Sequence, residues 1–281
     1  MELFTLIENS KENRSSDLEA EHGVSLYIET SGTKLLFDTG KSDRFLKNAR
    51  KMNVSVSDAD IVVISHGHYD HGGGLEYFFR ENDKAPVYMK EKAFSRYYVK
   101  RGIFKKYIGL DRRLYDLYRE RFVFTAHPTE PKSNIFILPE IADIHPRPSG
   151  NRVLFEKQGG KLLPDRFEHE LVLVIRENDG LVVFSGCSHR GILNMVETVE
   201  DHFGTEKIKA LIGGFHLVNP AQRNASENDE IVREIGRSLS RKTQLRKIFT
   251  GHCTGEKPYS LLKEEMGGKL DSFRTGKVIS L

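Results

Sequence analysis

Four side chains that can hold a metal ion, His66, His68, Asp70 and His71, fall within six consecutive positions of the stretch IVVISHGHYDHGGGL, residues 61–75. Imidazole suits zinc, iron, nickel and copper, and a carboxylate beside it suits zinc, iron or manganese. An apolar, β-branched run leads into them, so a strand is expected to leave the sheet and tip into a tight loop. In such a loop His66 and His68, two apart, face one way, while Asp70 and His71 face a neighbouring point. Two divalent cations can then share the loop, with zinc the first expectation and iron, manganese or magnesium the others. The glycines at 72, 73 and 74 offer positive φ and close approach of backbone to metal or substrate. A polar surface loop that merely gathers histidines explains much less of this pattern.

Further histidines stand where apolar runs end. Residues 3–8, 24–30, 34–37, 85–89, 135–138, 152–155, 171–176, 181–185, 208–212, 247–250 and 277–281 read as strands. Residues 42–52, 192–203, 230–239 and 257–266 read as helices. Asp179-Gly180 is a two-residue turn signal, so 171–185 is expected to be a hairpin that delivers Cys187 and His189 at its end. His216 follows the run 208–212, and His252 follows 247–250. Histidine as a residue type titrates near neutrality, so a histidine placed here suits a general acid or base, or else His216 is a satisfied structural residue. Ile231, Ile235 and Leu239 mark one face of the helix after a polar loop at 219–228. Alternating α and β elements point to an α/β layered architecture.

With 281 residues, 38% hydrophobic and 30% charged, the chain suits one globular domain spanning 1–281. No apolar run reaches the length of a membrane span, and the amino terminus shows no secretory pattern, so a cytoplasmic location without membrane association is expected. Two cysteines, Cys187 and Cys253, each beside a histidine, argue for reduced thiols near a site and against a disulfide framework. Oligomeric state is not legible.

One segment departs in composition. Residues 90–121 carry eleven Lys or Arg against four Asp or Glu, whereas the whole chain is only +3. Aromatics interleave with the charge, Phe94, Tyr97, Tyr98, Phe104 and Tyr107 among them. The segment is expected to be a helical insertion or lid that holds a small anionic substrate with a flat ring, or else a solvated insertion with its own small core. A net charge of +3 is a weak footprint for nucleic acid.

The motif HGHYDH resembles the HxHxDH signature of the metallo-β-lactamase-fold superfamily. Asp38-Thr39-Gly40 resembles its first motif, and FSGC at 184–187 stands where FTGD is usual. Together EHGVSLYIET, LLFDTG, SHGHYDHGGGL, GCSHRGILN, GGFHL and TGHCTG are similar to one subfamily. It includes the dihydropterin-ribofuranosylaminobenzene phosphate synthase of methanopterin biosynthesis and many members described only as metal-dependent hydrolases. The resemblance implies an αββα four-layer sandwich and a binuclear site fed by an activated water. It implies one metal on His66, His68 and His189 and the other on Asp70, His71 and His252, with Asp70 also steering the nucleophile.

Asp38 is implied to hydrogen-bond within the ligand loop, although the residues alone allow it to cap the helix at 42–52 instead. Where the superfamily has a bridging carboxylate this chain has Cys187, which either ligates metal as a softer donor or lines the site while His189 ligates. His169 could replace the histidine that usually precedes the hairpin, or be an ordinary surface residue. Cys253 is expected as a neighbour of the ligands. The reactions implied are hydrolysis of a small, phosphate-bearing anion, or the synthase condensation of a pterin diphosphate. Binding of metal or ligand without turnover is the third reading. The flavodiiron-type oxidases resemble HxExDH, and position 68 here is His.

Overall fold

In the computed structural model, residues 1–221 and 226–281 are described. Part of the loop expected at 219–228 therefore lies outside the described residues. The backbone groups into two compact units. The first comprises residues 1–95, 108–125 and 273–281, and the second comprises 96–107 and 126–272.

The first unit is built on a seven-stranded sheet in the order Val278–Ser280, Glu2–Ile7, Ser25–Thr30, Thr33–Phe37, Ile61–Val63, Val87–Met89, Phe122–Phe124. A tight hairpin joins the third and fourth of these, with Ser31 and Gly32 at positive φ. From Thr33–Phe37 onward the neighbours pair in parallel. Ile61, Val62 and Val63 are all buried, the near-continuous apolar pattern of a strand covered on both faces. The helix Arg44–Lys51 buries Phe45, Leu46 and Ala49 in a core shared with Leu36, Val62, Phe78 and Leu75.

The second unit carries another seven-stranded sheet, ordered Leu270–Ser272, Leu245–Thr250, Ile208–Gly213, Gly180–Ser185, Val172–Glu177, Ile135–Leu138, Thr129–Lys132. Val172–Glu177 and Gly180–Ser185 form the expected antiparallel hairpin, and the next three strands add in parallel. Parallel neighbours require crossovers, and the helices Ile192–Phe203, Asp229–Arg241 and Glu256–Met266 provide them. Parallel pairing also brings the carboxyl ends of adjacent strands to one edge, which is where Cys187, His216 and His252 arise.

Two expectations need correction here. The buried face of the helix Asp229–Arg241 is Val232, Gly236 and Leu239, while Ile231 is 50% exposed. A Cβ at Gly236 would stand 2.9 Å from Glu265 Cβ, so the helix turns its smallest residue toward Glu256–Met266 and rotates Ile231 outward. The basic segment has helical turns at Glu91–Phe94 and Arg113–Leu117. Between them it carries a hairpin, Tyr97–Arg101 with Phe104–Tyr107. That hairpin joins Leu154–Gln158 and Lys161–Pro164 in a four-stranded sheet of the second unit. Residues 108–121 belong to the first unit.

Candidate metal centre

In the first unit the buried strand Ile61–Val63 runs through Ile64 and Ser65 into His66. His68 then stands at the amino end of a four-residue helical turn, Tyr69–Gly72. The loop is pinned by Tyr69 N–H donating to the Ile108 carbonyl at 2.8 Å and by a bridge between His68 and Gly109. His66 and His71 are fully buried, while His68 and Asp70 are nearly so. Ring centroids lie 4.7 Å apart for His66 and His68 and 4.1 Å apart for His66 and His71. Asp70 Oδ2 is 3.9 Å from His71 Nε2, so the two donor atoms are close enough to face one cation.

Asp38 organises this loop. Its side chain is fully buried, with Oδ2 2.7 Å from His71 Nδ1. It also accepts from the Ser65 N–H at 2.8 Å and the Ser65 hydroxyl at 2.7 Å. That hydroxyl lies 2.9 Å from His66 Nδ1. One carboxylate thus occupies the Nδ1 side of His71 and reaches His66 through a serine, which is how ligating imidazoles are oriented with Nε2 toward the metal. Asp38 does not cap the helix Arg44–Lys51: the residue before that helix is Asp43, whose side chain makes no capping hydrogen bond.

The glycine reading changes. Gly73 and Gly74 have φ of −67° and −79°, so positive φ is not their use. A Cβ on Gly73 would meet the Tyr69 carbonyl at 2.3 Å, and one on Gly74 would meet the Thr39 carbonyl at 2.3 Å. A Cβ on Gly73 would also stand 2.6 Å from the Lys41 carbonyl, so these residues let the ligand turn pack backbone to backbone on the loop that carries Thr39 and Lys41. His22 went unnoticed in the sequence, yet its Nε2 lies 3.1 Å from Asp70 Oδ2. Its only signal was a place inside EHGVSLYIET.

The second unit assembles its donors from three strand ends. After Gly180–Ser185 come Cys187 and His189, both buried. His189 Nδ1 is 3.2 Å from Asn151 Oδ1, and the Asn151 amide donates to the His189 carbonyl at 2.7 Å. Phe167 stacks on the imidazole at 4.5 Å with planes 5° apart. The buried Glu170 accepts the N–H groups of His189 and Arg190 at 2.8 and 2.9 Å. Burial pushes the Glu170 carboxyl up, and those two hydrogen bonds only partly oppose it.

After Ile208–Gly213 comes His216, its ring 4.1 Å from that of His189. After Leu245–Thr250 come His252 and Cys253. The donor atoms of Cys187, His189 and His216 lie within 4.8 Å of one another, and so do those of Cys187, His252 and Cys253. Ser188, His216 and His252 all have φ between 48° and 56°, a left-handed conformation rare outside glycine. Such strain persists only where the surroundings over-determine it, and here hydrogen bonds do so. Ser188 Oγ donates to the Gly214 carbonyl at 2.7 Å, and the Thr254 hydroxyl accepts the Phe215 N–H at 3.0 Å. Burial pushes the Cys253 thiol up, but the neighbouring Cys187 thiol, His216 and His252 outweigh it and hold the thiol well below its ordinary value.

His169 is not a surface residue. It is buried, with Nε2 3.1 Å from Asp165 Oδ2 and its ring 4.1 Å from that of Tyr97. Asp165, four positions earlier, supplies the polar partner that makes this burial affordable.

Imidazole, carboxylate and thiol donors at these separations fit divalent cations. His216 adds a further sign: its buried ring has no hydrogen-bond partner at either nitrogen among the described residues. Comparison with known proteins agrees. The profile of the metallo-β-lactamase superfamily matches residues 18–211. The chain belongs to the metallo-β-lactamase superfamily.

Within that superfamily, one relative from Methanocaldococcus jannaschii is 30% identical, covering 99% of this chain and 96% of that protein. It is named 7,8-dihydropterin-6-methyl-4-(β-D-ribofuranosyl)-aminobenzene-5'-phosphate synthase. A second protein of that organism, described as uncharacterized, is 28% identical over 93% of this chain and 94% of its own length. A crystal structure of a metal-dependent hydrolase of the β-lactamase superfamily superposes with a TM-score of 0.83. It shares 33% identity, covering 100% of this chain and 99% of that one. The fold expected from the sequence is therefore the metallo-β-lactamase fold, and no helix among the described residues is long and apolar enough to cross a membrane.

Proposed function

We propose that the chain is a binuclear metal-dependent hydrolase of a small anionic substrate that bears a phosphate ester. The observation that carries this reading is the buried Asp38, whose hydrogen bonds go to Ser65 and His71 inside the HxHxDH loop. A carboxylate on the Nδ1 side of a ligand imidazole orients that ring, and here it also fixes the loop backbone at Ser65. The proposed ligands are His66, His68, Asp70, His71, His189 and His252. When bound, divalent cations supply a nucleophile from water near neutral pH and polarise the scissile ester.

The chain's own residues do the rest. Asp38 holds Nδ1 of His71, and Asn151 holds Nδ1 of His189, so that each presents Nε2. His216 moves a proton at a ring nitrogen, for which its place beside His189 suits it. Phe167, stacked on His189, keeps water from that face of the ring. At the tip of the hairpin in the second unit, Phe104 is 74% exposed between Arg101 and Lys105. A flat ring and a phosphate would find an aromatic face and cations there.

That same hairpin tip favours a second reading, in which the chain condenses a pterin diphosphate with an aminobenzene ribofuranosyl phosphate, as the name of its 30% identical relative suggests. Metal analysis of anaerobically purified protein, with turnover of bis(p-nitrophenyl) phosphate by wild type and His68→Ala, separates the two. The expected result is two metal ions per chain and cleavage that falls at least about 100-fold in the variant. Metal without cleavage turns the assignment to the synthase, assayed next with a pterin diphosphate. Protein that takes up no metal even after reconstitution overturns both.

A further inference from the structure

The second unit places two thiols and an imidazole around one point. The sulfur atoms of Cys187 and Cys253 and a ring nitrogen of His252 lie within 4.8 Å of one another, and neither cysteine is in a disulfide among the described residues. The room for the second sulfur is kept deliberately: a Cβ at residue 214 would stand 2.5 Å from Cys253 Sγ. The backbone N–H of His216 donates to that sulfur at 3.2 Å. A hydrogen bond into sulfur is worth most when the sulfur is anionic, as in a metal-bound thiolate.

His216 is an independent pointer to a ligand. It is 5% exposed, neither ring nitrogen has a hydrogen-bond partner among the described residues, and its donor atom falls within 4.8 Å of Cys187 Sγ. Cys187 Sγ therefore belongs to two donor triads at once. Cys253 Sγ also lies 3.7 Å from the Cys187 carbonyl, so the sulfur is held beside Cys187 by polar contacts on two sides. The positive φ of His252, 53°, turns the chain so that consecutive residues 252 and 253 both bring donor atoms to the same place.

We propose that Cys253 is a metal ligand, acting with Cys187 and His252, and that this sulfur pair selects a thiophilic divalent cation, zinc or ferrous iron, over magnesium or manganese. The inference rests on the metal-dependent reading above and adds to it the donor set and the class of metal. Two thiolates and an imidazole are soft and borderline donors, whereas magnesium and manganese prefer oxygen. Cys253 then acts on the reaction by fixing which cation is held, in a position that sequence spacing alone left to His252.

X-ray absorption on the full-length zinc-loaded protein reads sulfur directly, without any variant. Sulfur scatterers at about 2.3 Å beside nitrogen and oxygen at about 2.0–2.1 Å are the expected result. Anaerobic loading with cobalt gives a sulfur-to-metal charge-transfer band in the near ultraviolet. Cys253→Ser should remove roughly half of it and Cys187→Ser a similar share, with the circular dichroism of both variants unchanged. Bound zinc with nitrogen and oxygen scatterers only overturns the thiolate site and leaves the metallohydrolase reading standing. A cobalt band untouched by Cys253→Ser overturns the role of Cys253. A protein that binds neither metal overturns the inference together with the reading beneath it.

Discussion

The two units solve the same problem in different ways. In the first, His66, His68, Asp70 and His71 come from one turn after one strand, and a fully buried carboxylate, Asp38, holds two of them. In the second, Cys187, His189, His216, His252 and Cys253 come from the ends of three parallel strands. Their supports are the buried Glu170 carboxyl under the His189 backbone, a neutral amide from Asn151 on the His189 ring, backbone N–H groups and residues held at positive φ. A contiguous loop can be oriented by one charged group that reaches several ligands. Donors spread over three loops need a support each, and backbone conformation supplies much of it.

If that contrast is right, the largest effect belongs to Asp38→Asn. The amide keeps the shape but supplies only one acceptor oxygen where the carboxylate accepted from Ser65 and His71. Metal affinity measured by chelator competition should fall about 10- to 100-fold. Unchanged affinity would mean that packing of the loop, and not the carboxylate, orients the imidazoles.

Gly214→Ala probes the other strategy. Its Cβ would meet Cys253 Sγ at 2.5 Å and the Gly186 carbonyl at 3.2 Å, so either the sulfur or a strand-end loop must shift. Urea unfolding should show a loss of about 1–3 kcal/mol, the usual cost of overpacking. An alanine accepted without loss would show these loops to be pliant. Asn151→Ala should do less, about 0.5–1.5 kcal/mol in metal binding, because a neutral hydrogen bond to His189 is lost and not a charged one. If it matched Asp38→Asn, the distinction between one organiser that reaches several ligand rings and supports spread over several loops would fail.

What could be read from the sequence follows the same contrast. The HxHxDH turn was visible because its chemistry is contiguous and its strand is apolar throughout. The superfamily fold was legible from several short motifs together, and the helices and most strands followed from apolar periodicity. What escaped depends on neighbours distant in sequence. His22 meets Asp70 across 48 positions, and no spacing announces it. Gly73 and Gly74 looked like glycines chosen for φ, but their role is set by carbonyls of Lys41 and Thr39 that press on them. His169 looked polar and exposed, but Asp165 and Tyr97 bury it. Ile231 fitted a helical face, but Gly236 decides which face turns inward. The hairpin Tyr97–Arg101 with Phe104–Tyr107 was hidden by charge, since its lysines and arginines are strand residues on an exposed ribbon.

The smallest expected effect lies on the outer face of the second unit and calibrates the others. Arg241, then Arg237 and Ser238, hold the Glu234 carboxyl down at about 2, against an ordinary value of 4.5. A depressed carboxylate contributes stability that is present above the unfolded value and is lost as pH falls from about 4.5 towards 2. Glu234→Gln should therefore lower Tm slightly at pH 7, and the difference from wild type should vanish near pH 2. Because the group is exposed, salt should shrink the difference as well. Thermal unfolding of both proteins at several pH values, with metal removed, measures how much acid sensitivity comes from surface charge alone. Any larger acid loss that appears only with metal bound then belongs to the donor sets, and its dependence on Asp38 or on Asn151 tells which set yields first.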